Sequence, residues 1–257
     1  MYRLLVLSSL GLFGCTSRAA IGDSLPRDDT APADDSDPAD DTADTGRPWD
    51  ARELPVLLIH GVNGEAANWD TVVARLVADG WPADQVYAYT FEDPSWGCNV
   101  DNAETIRGWV EAILTETGQP RVNLVAHSMG TLSSRTYVKN LGGVDHVNTY
   151  VTLGGMHHGL TSSCSPDFPF KPCIWDEICA TGELVTQLNE PPATPGPLHW
   201  ISIYGTADED IPNSSSLLDG AENIEMPGVE HFGPNGLQED LATYQQLVRV
   251  LQYDRVY

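Results

Sequence analysis

The chain has 257 residues and a formal charge of −24, from 13 Lys and Arg against 37 Asp and Glu. That length suits one domain with tails, or at most two small domains, and 41% hydrophobic residues suffice for a sizeable core. The few basic residues form no run, so nucleic acid is not an expected partner, because phosphate binding needs clustered Lys and Arg; the acidity reads as a solubility device.

At the N-terminus, Arg3 gives a short positive segment and Leu4 to Phe13 an apolar run of ten residues. The run is too short to cross a bilayer as a helix. This is the pattern of an export signal, and we assign it residues 1–21. Leu12-Phe13-Gly14-Cys15 resembles a bacterial lipobox, with a bulkier Phe13 than usual. In that motif the Cys is lipidated and becomes the first mature residue, which would make a membrane the partner of a lipid anchor on Cys15. The alternative is ordinary cleavage near Ser17-Arg18-Ala19 and release of a secreted protein. Both readings export the chain from a bacterial cell.

Residues 22–50 hold ten Asp against two Arg, with Pro, Ala and Thr between them. Such a segment cannot bury enough apolar surface to offset its ordering entropy, so an acidic disordered linker is expected. As a random coil it would extend on the order of 30 Å. No calcium-loop spacing is present.

From residue 51 to 257 strands alternate with helices. Leu54 to His60 is an apolar run, and Trp69 to Asp79 has a helical stripe at 72, 73, 76 and 77, closed by Gly80. Val86 to Phe91 reads as a strand. Ala103 to Thr117 carries Ile106, Trp109, Val110, Ile113 and Leu114 on one helical face. Arg121 to His127 is a strand and Ser128 to Asn140 a helix. Val147 to Leu153, His199 to Tyr204 and Asn223 to Met226 are further strands, and Leu237 to Leu251 is a closing amphipathic helix. This alternation predicts a mostly parallel sheet of about six strands with helices on both faces.

Residues 155–197 break the rhythm with three cysteines, seven prolines and little periodicity. The segment follows a strand's C-terminal end, where α/β proteins bind ligands, so a cysteine-rich insertion walling or partly covering a site is expected. It contains the apolar residues Phe168, Phe170, Ile174 and Trp175. Cys98, Cys164, Cys173 and Cys179 are an even set in an exported chain, which predicts two disulfides of undetermined pairing. A metal site is not expected, since Cys173 and Cys179 lack zinc-ligand spacing.

Val125-Ala126-His127-Ser128-Met129-Gly130 lies between a predicted strand and a predicted helix. A sharp turn there would display the Ser128 hydroxyl above the sheet, with small residues on either side to relieve crowding. Gly130 meets this need, and Ala126 stands where Gly is usual. A serine hydroxyl needs a base. Five histidines follow it, at 146, 157, 158, 199 and 231. His146 and His199 begin strands, at the far end; His157 and His158 are not excluded by position. His231 lies in a glycine-bracketed loop before the last helix, where the base is expected. Asp208 follows the strand ending at Tyr204 and is the expected acid, with Asp210 its main rival and Glu209 and Asp219 behind. An oxyanion would be held by the backbone N–H groups of Met129 and of Val62, in the loop His60-Gly61-Val62-Asn63-Gly64. His60 is read as the anchor of that loop.

The motifs Val56 to Val62, Glu116-Thr117-Gly118, Val122 to Gly130, Val151 to Gly155, Ser202 to Asp208 and Gly228 to Gly233 together resemble the small secreted bacterial lipases of the minimal α/β-hydrolase kind, the class 2 lipases. The resemblance spans residues 54–251. It implies an α/β-hydrolase fold, with Ser128 as nucleophile, Asp208 as acid, His231 as base, and Val62 and Met129 as oxyanion donors. It implies hydrolysis of acylglycerols or simple esters without a cofactor. The 155–197 insertion and the acidic linker depart from that pattern. Two other readings stand beside it: a short-chain esterase or polyester depolymerase using the same residues, and a non-catalytic, membrane-tethered binding protein on a hydrolase scaffold.

Overall fold

The computed structural model describes residues 51–164 and 172–252. The expected export signal, Cys15, the acidic linker, Phe168 and Phe170 lie outside the described residues.

Six strands form one parallel sheet: β1 (Val56–Ile59), β2 (Val86–Tyr89), β3 (Val122–His127), β4 (Val147–Leu153), β5 (His199–Gly205) and β6 (Glu222–Met226). They lie in the order β2-β1-β3-β4-β5-β6, with every neighbouring pair parallel. Parallel neighbours need crossovers, and the helices supply them: α1 (Asp70–Ala78), α2 (Asn99–Thr117), α3 (Gly130–Asn140), α4 (Cys173–Glu177), α5 (Glu183–Asn189), α6 (Asn213–Ser216) and α7 (Leu241–Leu251).

Side chains alternate across a strand, so each central strand feeds two cores. Val56 and Leu58 of β1 face a layer with Val72 and Leu76 of α1 and Leu247 and Val250 of α7. Leu57 and Ile59 face the opposite layer, with Ile106, Val110 and Ile113 of α2 and Tyr137 and Val138 of α3. The interior strands β1, β3 and β4 are buried throughout. The edge strand β6 carries mostly exposed positions, which blunts it against pairing with another chain.

Three expectations need correction. The 155–197 segment is not irregular throughout. It contains α4 and α5, and Ile174, Ile178, Leu184, Val185 and Leu188 pack with Met129 and Leu132 in a third core cluster. A seven-residue helix is too short for its stripe to stand out among prolines. The closing helix starts at Leu241 rather than Leu237, because the Asp240 carboxylate accepts from the Thr243 N–H at 2.7 Å and caps it. Conversely, α2 starts at Asn99 rather than Ala103. Its first N–H groups, at Asn99 and Val100, donate to the carboxylate of Glu177 in α4, a cap supplied from 77 residues along the chain.

Candidate active site

Because all strands run the same way, their C-terminal ends share one edge of the sheet, where such folds place their ligands. His60 follows β1, Ser128 follows β3, and Gly154 follows β4. Asp208 and His231 follow β5 and β6.

Ser128 has φ 55°, a left-handed conformation that a residue with a Cβ adopts at a cost of roughly 1–2 kcal/mol. Its surroundings hold it there. Its N–H donates to the Leu153 carbonyl at 3.0 Å, and its own carbonyl accepts from the Thr131 N–H at 3.0 Å and hydroxyl at 2.6 Å. The turn is crowded: a Cβ on Gly61 would lie 2.8 Å from the Ser128 Cβ, and one on Gly130 would overlap the His60 carbonyl oxygen. This is why α3 begins at Gly130 and not at Ser128.

The Ser128 Oγ lies 2.9 Å from Nε2 of His231. On the far side of that ring, Nδ1 lies 2.6 Å from Oδ2 of Asp208. The other carboxylate oxygen of Asp208 accepts from the N–H groups of Asp210 at 3.0 Å and Ile211 at 2.8 Å. Both side chains of the His231–Asp208 pair are 1% exposed, so water does not compete for the contact. Asp210 and Glu209 are exposed, and so is Asp219. Among the other histidines, His146 and His199 stand at the opposite ends of β4 and β5. Nε2 of His157 pairs instead with the Thr152 hydroxyl at 3.0 Å. The three residues singled out as nucleophile, acid and base are thus the ones the fold brings into a single line.

His60 anchors the loop after β1. The Phe91 N–H donates to its Nε2 at 3.1 Å, which leaves the ring proton on Nδ1, 2.7 Å from the Gly61 carbonyl. Burial lowers the pKa of this ring, against the raising effect of the Gly61 bond, in keeping with a neutral imidazole. Because the C=O and N–H of a trans peptide point oppositely, drawing the Gly61 carbonyl to His60 turns the Val62 N–H away from that ring. Val62 and Met129 line the same cleft as Ser128 and His231, and neither N–H donates to a backbone carbonyl among the described residues.

The cleft encloses about 310 Å³. Its walls are mainly apolar: Val62, Trp96, Met129, Met156, Leu160, Ile174, Trp175, Ile178, Ile211 and Phe232, with Asn63, Ser95 and Asp210 as polar exceptions. The insertion therefore supplies one wall, and two disulfides pin it. Cys98–Cys173 ties the start of α4 to the residue preceding α2, and Cys164–Cys179 closes the insertion on itself. The expected pair of disulfides is present, with a pairing that spacing did not determine.

Sequence reasoning missed two supports. Arg135, fully buried, donates to the Leu188 carbonyl at 2.7 Å, the Asn189 side chain and the Ala193 carbonyl. Burial lowers it to about 10, so it remains charged at neutral pH. With Lys139, which reaches the carbonyls of Gln187, Leu188 and Glu190, it places positive charge at the C-terminal end of α5, where the helix dipole favours it. The second support is His127, next to Ser128. No spacing rule marks either one, because both act through residues distant in sequence.

Solved structures of similar fold are lipases and related proteins. Lipase BlEst2 of Bacillus licheniformis in its mature form is 16% identical, with 80% of this chain and 94% of that one covered and a TM-score of 0.63. The product of gene lin2722 of Listeria innocua is 18% identical over 79% and 95% of the two chains, with a TM-score of 0.60. Lipase B of Aspergillus fumigatus is 16% identical, with a TM-score of 0.65; 79% of this chain is covered, but only 53% of that longer one. At such identities the likeness is one of fold, the α/β-hydrolase fold. The family described as Lipase (class 2) matches residues 53–246, three quarters of the sequence, so the chain belongs to the class 2 lipases and is a carboxylic ester hydrolase.

Proposed function

We propose that this hydrolase is an exported triacylglycerol lipase or carboxylesterase that works through an acyl-enzyme on Ser128. The observation that carries the reading is the unbroken relay from Ser128 Oγ through both nitrogens of His231 to Asp208, at 2.9 and 2.6 Å. His231 takes the proton from Ser128 as its oxygen attacks the ester carbonyl. The N–H groups of Val62 and Met129 hold the tetrahedral oxyanion. The alcohol leaves with the proton from His231, and an ester links the acyl group to Ser128. Water, deprotonated by His231, then attacks that ester and frees the acid. Asp208 stays ionised, keeps the Nδ1 proton facing it, and stabilises the imidazolium. The apolar cleft takes the acyl chain of an acylglycerol or simple ester.

Export rests on residues 1–21 of the sequence, and a lipid anchor on Cys15 would leave the acidic segment 22–50 as a tether. A p-nitrophenyl phosphonate tests the chemistry: Ser128 should displace p-nitrophenolate, so wild-type protein should gain the mass of the phosphonyl group on the peptide carrying Ser128, and Ser128→Ala should not. Initial rates on p-nitrophenyl esters from acetate to palmitate, and on emulsified triglyceride, separate a lipase from a short-chain esterase. Absence of both labelling and ester turnover would sink the reading. Mass spectrometry of the mature N-terminus, wild type against Cys15→Ser, tests the anchor.

A further inference from the structure

The residue covalently next to Ser128 has a side chain that the relay does not use. His127 ends β3 and is 2% exposed. Its ring lies 4.6 Å from that of His231, tilted by 34°, and 5.3 Å from that of Phe232. Its Nε2 stands 3.3 Å from the backbone carbonyl oxygen of His231. A carbonyl only accepts, so that nitrogen must carry the proton of a neutral ring. Burial holds His127 well below the ordinary His range, and the neighbouring His231 pushes the same way, so neutrality and tautomer agree.

The loop carrying His231 is fastened on either side of it. The Glu230 N–H donates to the Asn235 carbonyl at 2.9 Å, and the Leu237 N–H to the Glu230 carbonyl at 3.0 Å. His127 supplies the tie at His231 itself. A base and its nucleophile must remain within hydrogen-bond reach, yet Ser128 and His231 are 103 residues apart and sit on separate elements. We propose that His127 is a positioning residue: its Nε2–H holds the His231 carbonyl and its ring backs the imidazole, so the base is registered to the nucleophile by the nucleophile's own neighbour. This rests on reading Ser128 as nucleophile and His231 as base.

The full-length protein with His127→Leu keeps an apolar group of similar bulk and loses the donor. His127→Gln can return an amide N–H near the Nε2 position. Misplacing a catalytic group by about 1 Å costs up to roughly 100-fold. On p-nitrophenyl butyrate, kcat of His127→Leu should therefore fall about 10- to 100-fold with KM within about twofold. His127→Gln should recover to within about threefold of wild type. Wild-type kcat in His127→Leu, or equal impairment of both variants, would overturn the proposal. Should either variant fail to fold, ¹⁵N NMR of the wild-type imidazoles decides. A neutral His127 with its proton on Nε2 supports the tie, and a proton on Nδ1 overturns it. Ser128→Ala in the same assay keeps the two readings apart. If it is dead while His127→Leu is fully active, only the positioning role fails; if it is active, both fail.

Discussion

Asp208 accepts the Ile211 N–H at 2.8 Å through one carboxylate oxygen, and so aims the other at His231. The Asp210 N–H, at 3.0 Å, shares that first oxygen. The carboxylate thus does three acceptor jobs at once. An amide has one acceptor oxygen. If it keeps the two backbone N–H groups, its NH₂ faces Nδ1 of His231, donor against donor. Relief requires the imidazole to move its proton to Nε2, where it can no longer take one from Ser128. We expect Asp208→Asn to lower kcat by about 10⁴-fold. Asp210→Asn should stay within about threefold, because only its backbone is used and its exposed charge is screened. Steady-state kinetics of the two variants checks this, and the reverse ranking would move the acid role to Asp210.

Ser128→Ala should remove ester hydrolysis by about 10⁶-fold in turnover. It should leave the fold intact, because among the described residues the hydroxyl's one partner is His231, while the turn is held by the Leu153 and Thr131 contacts. An unchanged melting temperature with more than a few per cent of activity would remove Ser128 from the nucleophile's role.

What can be read in the sequence is what is local. The turn at Ser128 is legible because strand, small residues and helix follow within a dozen positions. The His231 loop is legible because glycines bracket it. The strands other than β6 are legible from their apolar positions, although ends shift by a few residues. What is hidden depends on partners far along the chain. Asp208 and Asp210 share one turn, and only its path shows which carboxylate meets His231. The start of α2 depends on Glu177, and Cys98 meets Cys173 across 75 residues. The packing of Leu184 and Leu188 against Leu132 follows from three-dimensional proximity that no periodicity encodes.

Both disulfides constrain the unfolded chain. The loop closed by Cys164–Cys179 spans 15 residues and that by Cys98–Cys173 spans 75. Loop-closure entropy assigns them about 3 and about 4 kcal/mol. The double variant Cys98→Ser, Cys173→Ser should therefore lose more stability than Cys164→Ser, Cys179→Ser, and it also leaves the Glu177 cap as the remaining described tie between α4 and the start of α2. Urea denaturation of both checks the ranking. Non-reducing peptide mapping that finds other partners would overturn the pairing.

Two buried histidines make stability depend on pH. His127 and His157 lie well below the ordinary value of 6.5, chiefly through burial, with Arg135 adding to the effect at His157. In the unfolded chain each takes up a proton below that value; in the folded protein each stays neutral. Their contribution is complete above pH 6.5 and is lost as the pH falls below it. Each adds a slope of roughly 1 kcal/mol per pH unit. Nδ1 of His157 has no partner among the described residues, so His157→Gln keeps the one bond it makes, to Thr152. Between pH 6 and 5 the variant should lose stability less steeply than wild type by one proton's worth. Comparing the two cancels the titration of the acidic surface. Parallel slopes would show that His157 does not resist protonation.

The insertion wall divides its labour between core and cleft. Ile174 and Ile178 are 3% and 7% exposed and pack with Met129 and Leu132. They belong mainly to the core, although both also border the cleft. Trp175, between them in sequence, is 40% exposed and lines the cleft beside Ser128. An acyl chain is the apolar partner that would cover it. The wall cannot swing far, because Cys98–Cys173 and the Glu177 cap fix α4 to the start of α2. Its contribution should therefore be a fixed surface along the acyl chain. Covering an aromatic face is worth about 1–2 kcal/mol, so Trp175→Ala should lower kcat/KM for p-nitrophenyl palmitate by about tenfold. An acetyl group offers that ring much less apolar surface than a palmitoyl chain, so the acetate ester should change by less than about twofold. Ile174→Ala should behave differently, costing about 2–5 kcal/mol of stability and depressing both esters alike as the wall loosens. Rates across the ester series for the two variants make the comparison. If Trp175→Ala affects acetate and palmitate equally, the ring serves the core and the acyl chain lies elsewhere in the cleft.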